Sequence, residues 1–247
     1  MLKNLKTKVN LKKWELILHI SLYILGVTTI SILFYNSVLV SLFFFPFIII
    51  YLKYINNVYV EKNKEILLGE FLDFLKILKS NLYANYSLEN SIINSYCELQ
   101  KSTDNNFKIL NYINNIVKGI NLKISINELL LEFKSNLNIE EIDEYIEAVI
   151  IVKKTGGDII KVTNNMIDIV TNNIENKKEI ETILAGKKME FRIMILVPFI
   201  IVFYLRITFN GFLDGLYGNF FGLIIMSAAL FIILISYFIG VKILKVV

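Results

Sequence analysis

Residues 219–241 read NFFGLIIMSAALFIILISYFIGV, 23 positions without one charged side chain. At about 1.5 Å of rise per residue, a helix of that length crosses a hydrocarbon core of about 30 Å. Lipid offers no hydrogen-bond partner to open backbone, so a helix is the only state in which such a stretch can span it. Three more runs have the same character: 14–35, broken only by Glu15 and His19 near its start, 38–54, with Pro46 near its middle, and 191–209. The Asn36-Ser37 turn and the loop from Asn210-Gly211 to Gly218-Asn219 group the four runs into two hairpins.

The rest of the composition agrees. Of 247 residues 55% are hydrophobic and 19% charged, with mean hydropathy +0.57, whereas a soluble domain carries about a quarter charged residues. Two prolines in the whole chain leave long helices uninterrupted. A single cysteine, Cys97, excludes a disulfide framework and a cysteine zinc site. A single histidine, His19, excludes a His-rich metal centre and argues against a hydrolytic triad. No catalytic, cofactor-binding or metal-ligating residue is expected, and the chain reads as a non-enzyme. Lys3, Lys6, Lys8, Lys12 and Lys13 precede the first run in the manner of a signal peptide. That run is too long for one, lacks a small-residue cleavage site and leads straight into a second span, so it is expected to be a membrane anchor.

Basic residues orient the spans. The N-terminal segment, the middle of the chain and the tail (Lys242, Lys245) are lysine-bearing, while the two hairpin turns carry only Asp214. Both termini and the middle segment are therefore expected in the cytoplasm. Arg206, near the outer end of the third run, is a mild exception whose long side chain can snorkel to the headgroups. Between Ile55 and Glu190 there are 16 lysines against 20 acids, so the positive balance of the chain flanks the membrane and the middle segment is mildly acidic. This removes the electrostatic case for nucleic-acid binding. The expected organisation is a basic N-terminus (1–13), a transmembrane hairpin (14–54), a cytoplasmic domain (55–190), a second hairpin (191–241) and a short tail (242–247).

The cytoplasmic segment reads as helix throughout. Leu67, Phe71, Phe74, Leu75, Leu78 and Leu82 form one stripe at helical spacing. Ser87, Asp104 and Asp158 stand where helix N-caps are expected, Ser125-x-x-Glu128 reads as a capping box, and Asn138 with Glu141 as another. Gly119 is placed to stop one helix and Gly156 to end another in a left-handed cap. From Ile159 no breaker occurs until Gly186, so this helix is expected to run directly into the third span. The fold class is all-α: two transmembrane hairpins flanking a cytoplasmic antiparallel helical bundle.

Three turns carry a resemblance. Leu82-Tyr83-Ala84-Asn85-Tyr86-Ser87-Leu88-Glu89-Asn90-Ser91, with Asn85 where a glycine is usual, Lys118-Gly119 through Ser125-Ile126, and Gly156-Gly157-Asp158-Ile159 stand in order between the two hairpins. A charged stretch, Glu175 through Lys188, follows, then Pro198 early in the third span. From Phe71 onward the chain resembles the F-domain family of type II secretion and type IV pilus systems, and most of all its single-domain tight-adherence (Tad/Flp) pilus members. It departs from them in Asn85, in its small N-terminal hairpin and in having few arginines. The resemblance implies an inner-membrane platform of a bacterium, working with a hexameric cytoplasmic ATPase and with pilin subunits, as a homo- or hetero-oligomer or with a sister F-domain protein.

On that view several residues are candidates for partner contacts. Glu140, Asp143, Glu144 and Glu147 fall on one side of a helix; they read as a docking face for a basic surface or a weak divalent-cation site, or as a solvated face whose acids suit a helix N-terminus. Gly156, Gly157 and Asp158 form a helix-to-helix turn; with no following Gly-Lys-Ser/Thr they are no phosphate loop. Lys177 and Lys188, eleven residues apart and so on one helix side, serve lipid anchoring or a partner contact. The rival reading is a transporter or channel subunit, which would place polar groups at mid-membrane; the span interiors here are almost wholly Ile, Leu, Phe and Val.

Overall fold

A computed structural model of the chain describes residues 13–103, 107–209, 211–217 and 219–245. Among them every regular element is helical: α1 (Lys13–Tyr35), α2 (Ser41–Phe44), a 3-10 turn (Phe45–Phe47), α3 (Ile48–Tyr83), α4 (Leu88–Ser102), α5 (Ile109–Asn121), α6 (Ile126–Leu137), α7 (Glu140–Thr155), α8 (Ile159–Thr208), α9 (Asp214–Tyr217) and α10 (Phe220–Lys245). Four stretches are long and apolar enough to cross a membrane, Trp14–Tyr35, Ser41–Tyr83, Ile159–Thr208 and Phe220–Leu244, which suggests a membrane protein. Lys3, Lys6, Lys8 and Lys12, the Asp104 cap, and Asn210 and Gly218 of the last turn lie outside the described residues.

The two prolines act differently. Pro46 sits in the 3-10 turn between α2 and α3, where its missing N–H costs little. Pro198 lies inside α8 and does not interrupt it. The described chain divides into two compact units, one of residues 57–177, the other of residues 13–56 and 178–245.

In the unit of residues 57–177 the predicted stripe of α3 is the core. Phe71, Phe74, Leu75, Leu78 and Leu82 are buried, and Leu67 packs against them. They meet Ile109, Ile113 and Ile116 of α5, Leu130 and Phe133 of α6, Ile142, Ile146 and Val149 of α7, and Met166 and Val170 of α8 in one apolar cluster. Phe71 lies edge-on to Tyr145, with ring centroids 5.7 Å apart, and 6.4 Å from Phe133, a separation at which aromatic pairs attract. The Tyr145 hydroxyl lies 3.1 Å from that of Thr163. Burial pushes its phenol up to about 12, opposed only in part by that hydrogen bond, so Tyr145 is a neutral partner across the working pH range.

The helix ends correct the sequence reading in detail. Ser87 accepts from the Asn90 amide at 3.3 Å and Asp158 from the Lys161 amide at 3.1 Å, as their cap positions predict. Asn85 (φ 62°) and Gly156 (φ 73°) take the left-handed turn conformation. Ser125 occupies an N-cap position but its side chain makes no capping bond. Asn138 does not open α7: it closes α6 with φ 52°, and Ile139 stands at the N-cap of α7. Near Gly119, as read, α5 ends, its last residue being Asn121. A Cβ on Gly119 would lie 2.2 Å from a Leu129 methyl, so this glycine permits the close approach of α5 and α6. The start of α5 is served from another helix: the Ile109 amide donates to buried Glu70 of α3 at 2.8 Å.

In the other unit, Leu33 and Phe34 of α1 pack with Met226 and Leu230 of α10. Phe34 lies edge-on to Phe199 of α8 at 5.7 Å, and Phe191 of α8 stacks on Tyr237 of α10 at 6.2 Å. The Phe191 ring rests against Gly240, where a Cβ would be 2.0 Å away. Tyr35 and Ser227 share a hydroxyl hydrogen bond of 3.0 Å, and Tyr23 donates to the Phe44 carbonyl at 2.7 Å. Helix α1 thus packs on α8 and α10 as well as on the segment that follows it.

Because Leu75 is fully buried, Leu75→Ala removes apolar contacts and leaves a cavity. It should destabilise the protein by about 2–5 kcal/mol, while Glu144→Ala on the exposed face of α7 should stay within about 0.5 kcal/mol. Denaturant melts of the detergent-solubilised full chain, followed by circular dichroism, check both.

Candidate functional site

The four acids predicted to share a face lie on α7, built as that face requires: its opposite side, Ile142, Tyr145, Ile146 and Val149, is buried in the core. Glu140, Glu144 and Glu147 are exposed and Asp143 is half-buried. The structure adds a partner that spacing along one helix could not reveal. Lys134 of α6 hydrogen-bonds to Glu147, and that bond together with the charges of Glu147 and Asp143 outweighs desolvation and holds the lysine above its ordinary range. Burial raises the Asp143 carboxyl, with Lys134 opposing and Glu147 adding to the shift. One oxygen of Asp143 is buried without a hydrogen-bond partner among the described residues. The face is therefore divided: Glu147 and Asp143 sit around Lys134, while Glu140 and Glu144 make no ion pair among the described residues.

Gly156, Gly157 and Asp158 form one turn. The left-handed Gly156 closes α7, the Gly157 amide donates back to the Val152 carbonyl at 2.9 Å, and Asp158 caps α8. The charged flank of this turn is fastened to the first one. Lys153, in the last turn of α7, hydrogen-bonds to Glu89 in the first turn of α4, and the Asn164 amide donates to the Tyr83 hydroxyl at 3.2 Å. Burial raises the Glu89 carboxyl, but the Lys153 hydrogen bond, a backbone hydrogen bond at Glu89 and the Lys153 charge outweigh it and hold the group below its usual value. Lys153 had a sequence signal, as a cation at a helix C-terminus; that it reaches Glu89 had none. Lys177 bonds to Glu65 of α3, and Lys188 is half-buried further along α8.

One polar group at the far end of α8 has a role that composition did not reveal. Arg206 donates to the Ile32 carbonyl and, at 2.5 Å, to the side-chain oxygen of Asn36. The Tyr217 hydroxyl donates to the Leu33 carbonyl at 2.6 Å. Carbonyls in the last turn of α1 and its left-handed Asn36 (φ 49°) are thus met by a cation and a phenol, which also suits the negative end of the helix dipole. Among the described residues no three His, Cys, Asp or Glu side chains converge to hold a metal ion. No family model, curated protein or solved structure matches the chain.

The two perturbed carboxyls give opposite and separable signatures. An acid raised in the folded state destabilises it above that raised value and not below its unfolded one, so Asp143→Asn should stabilise the protein at neutral pH. An acid lowered in the folded state stabilises it above its unfolded value, so Glu89→Gln should destabilise it there. Both differences should close as the pH falls past the ordinary carboxylate values of 3.8 and 4.5, and thermal melts from pH 7 to pH 3 check this. Both effects are small, because solvent screens the groups.

Proposed function

We propose that this chain is the membrane platform of a type IV (Tad/Flp-like) pilus or of a type II-like secretion machine. In this reading it lies in a bacterial inner membrane with both termini and residues 55–190 in the cytoplasm. Two transmembrane hairpins flank an antiparallel helical bundle. A cytoplasmic assembly ATPase supplies the energy, pilin subunits are the load, and the platform works as an oligomer or beside a sister F-domain protein.

The observation that supports this reading best is the continuity of α8. It begins at the Asp158 cap, contributes Met166 and Val170 to the apolar core, and runs without a break through Pro198 to Thr208. An unbroken helix transmits displacement along its axis, since shortening or bending it breaks backbone hydrogen bonds. A push on the cytoplasmic helices is carried by α8 to the spans, along which the apolar segment of a pilin is lifted. Glu140 and Glu144, exposed and free of ion pairs among the described residues, offer acids to a basic surface of the ATPase. The order of the turns at Asn85, between Gly119 and Ser125, and at Gly156 is the further support, by resemblance.

Inserting a flexible Gly-Ser linker at Gly186 should abolish fibre assembly or secretion in the host while leaving the protein in the membrane fraction at its normal amount. Normal assembly with the linker in place overturns the coupling. A second variant, Glu140→Lys with Glu144→Lys, should weaken co-purification of the ATPase several-fold without changing the melting temperature by more than a degree or two.

A further inference from the structure

Beside the Arg206 clamp lies a cleft of about 300 Å³ lined by Asn36, Arg206, Phe209, Gly211, Leu213, Asp214 and Tyr217. Its size is at the lower end of small-ligand pockets, enough for a headgroup and too little for acyl chains. Its lining is unusual for the end of an apolar helix, since it holds one cation and one anion that form no ion pair with each other among the described residues. Arg206 is pre-oriented by its bonds to Ile32 and Asn36. Guanidinium carries five donors, and those two bonds engage two of them. Asp214 is exposed at the start of α9; its amide donates to the Gly211 carbonyl, and its carboxylate makes no hydrogen bond or ion pair with a described residue. Phe209 and Phe212, exposed and 6.3 Å apart, put apolar rings next to this polar opening, the pairing found where a span meets headgroups.

We propose that this cleft binds the zwitterionic headgroup of a phospholipid, its phosphate on Arg206 and its primary ammonium on Asp214. A plain anion fits poorly because Asp214 repels it, and a divalent cation fits poorly because Arg206 repels it and Asp214 is the single carboxylate in the lining. A zwitterion satisfies both charges at once, and a primary ammonium adds hydrogen bonds to the carboxylate that a quaternary one lacks. The inference rests on the four apolar helices lying in a bilayer and is independent of the pilus or secretion role.

The full chain in detergent is incubated with short-chain phosphatidylethanolamine, phosphatidylglycerol or phosphatidylcholine, and retained lipid is counted by native mass spectrometry. Phosphatidylethanolamine should be retained about threefold or more over the other two, the range a single partly exposed charge contact supplies. Asp214→Asn should abolish that preference, and Arg206→Gln should lower retention of all three. Equal or greater retention of phosphatidylglycerol, or a preference unchanged in Asp214→Asn, overturns the proposal. Asp214→Asn carries the test if Arg206→Gln loosens α1. Soluble phosphoethanolamine that displaces the lipid at equal concentration overturns the lipid as source; failure to displace it supports the lipid. Carbonate extraction of the host membrane is run in parallel. A chain that washes off refutes the bilayer placement itself, whereas a retained chain without preference refutes the cleft alone.

Discussion

A backbone N–H or C=O removed from water has to find a partner, and in this protein that demand is most severe where the helices end. Inside a helix the bonds are internal, which is why four apolar stretches can stand in hydrocarbon at all. At the end of α1 this runs out: the Ile32 carbonyl accepts from the Asn36 amide at 3.2 Å, and the carbonyls beyond it are past the helical ladder. Tyr217 donates to the Leu33 carbonyl and Arg206 adds a second bond to that of Ile32, from residues more than 170 positions away in the chain. The same two bonds that satisfy the helix end draw α1 to α8 and α9. Apolar contacts between α1 and α10 and between α8 and α10 then fill the space beneath.

The rule is obeyed differently in the unit of residues 57–177. Ser87 and Asp158 cap their own helices. Where the N-cap side chain makes no bond, as at Lys108 before α5, Glu70 reaches in from α3. Burying that carboxylate is tolerated because it is spent on an orphan amide at a helix start, where negative charge is favoured. Asn81 does similar work between α3 and α4, donating to Ser95 at 3.3 Å and to Glu98 at 3.2 Å. These polar links sit at the borders of an otherwise apolar core and set which helix meets which.

The contrast between Gly156 and Gly119 shows how much of this was legible beforehand. Gly156 follows a helical stripe and precedes an Asx cap, a local pattern that needs nothing distant, and it takes the expected left-handed turn. Gly119 also follows a helical stripe, yet α5 runs two residues past it, and its small size is what lets Leu129 of the next helix pack there. Asn138 reads locally as a cap and serves as the end of the preceding helix, since the loop is too short to hold both functions. The acids of α7 were legible as a face. Their division around Lys134 was not, because that lysine lies on another helix and only packing brings it near.

By itself, then, the sequence determined the helical class, the four membrane-length apolar stretches, the α3 stripe and most of the turns between helices, all of which depend on neighbours three or four positions away. Only the tertiary structure decided that α1 closes on α8 and α10, that Glu70 caps α5, and that Arg206 and Asp214 line one cleft. Each of these joins residues from separate helices, and helical periodicity says which side of a helix is apolar without saying which other helix will cover it.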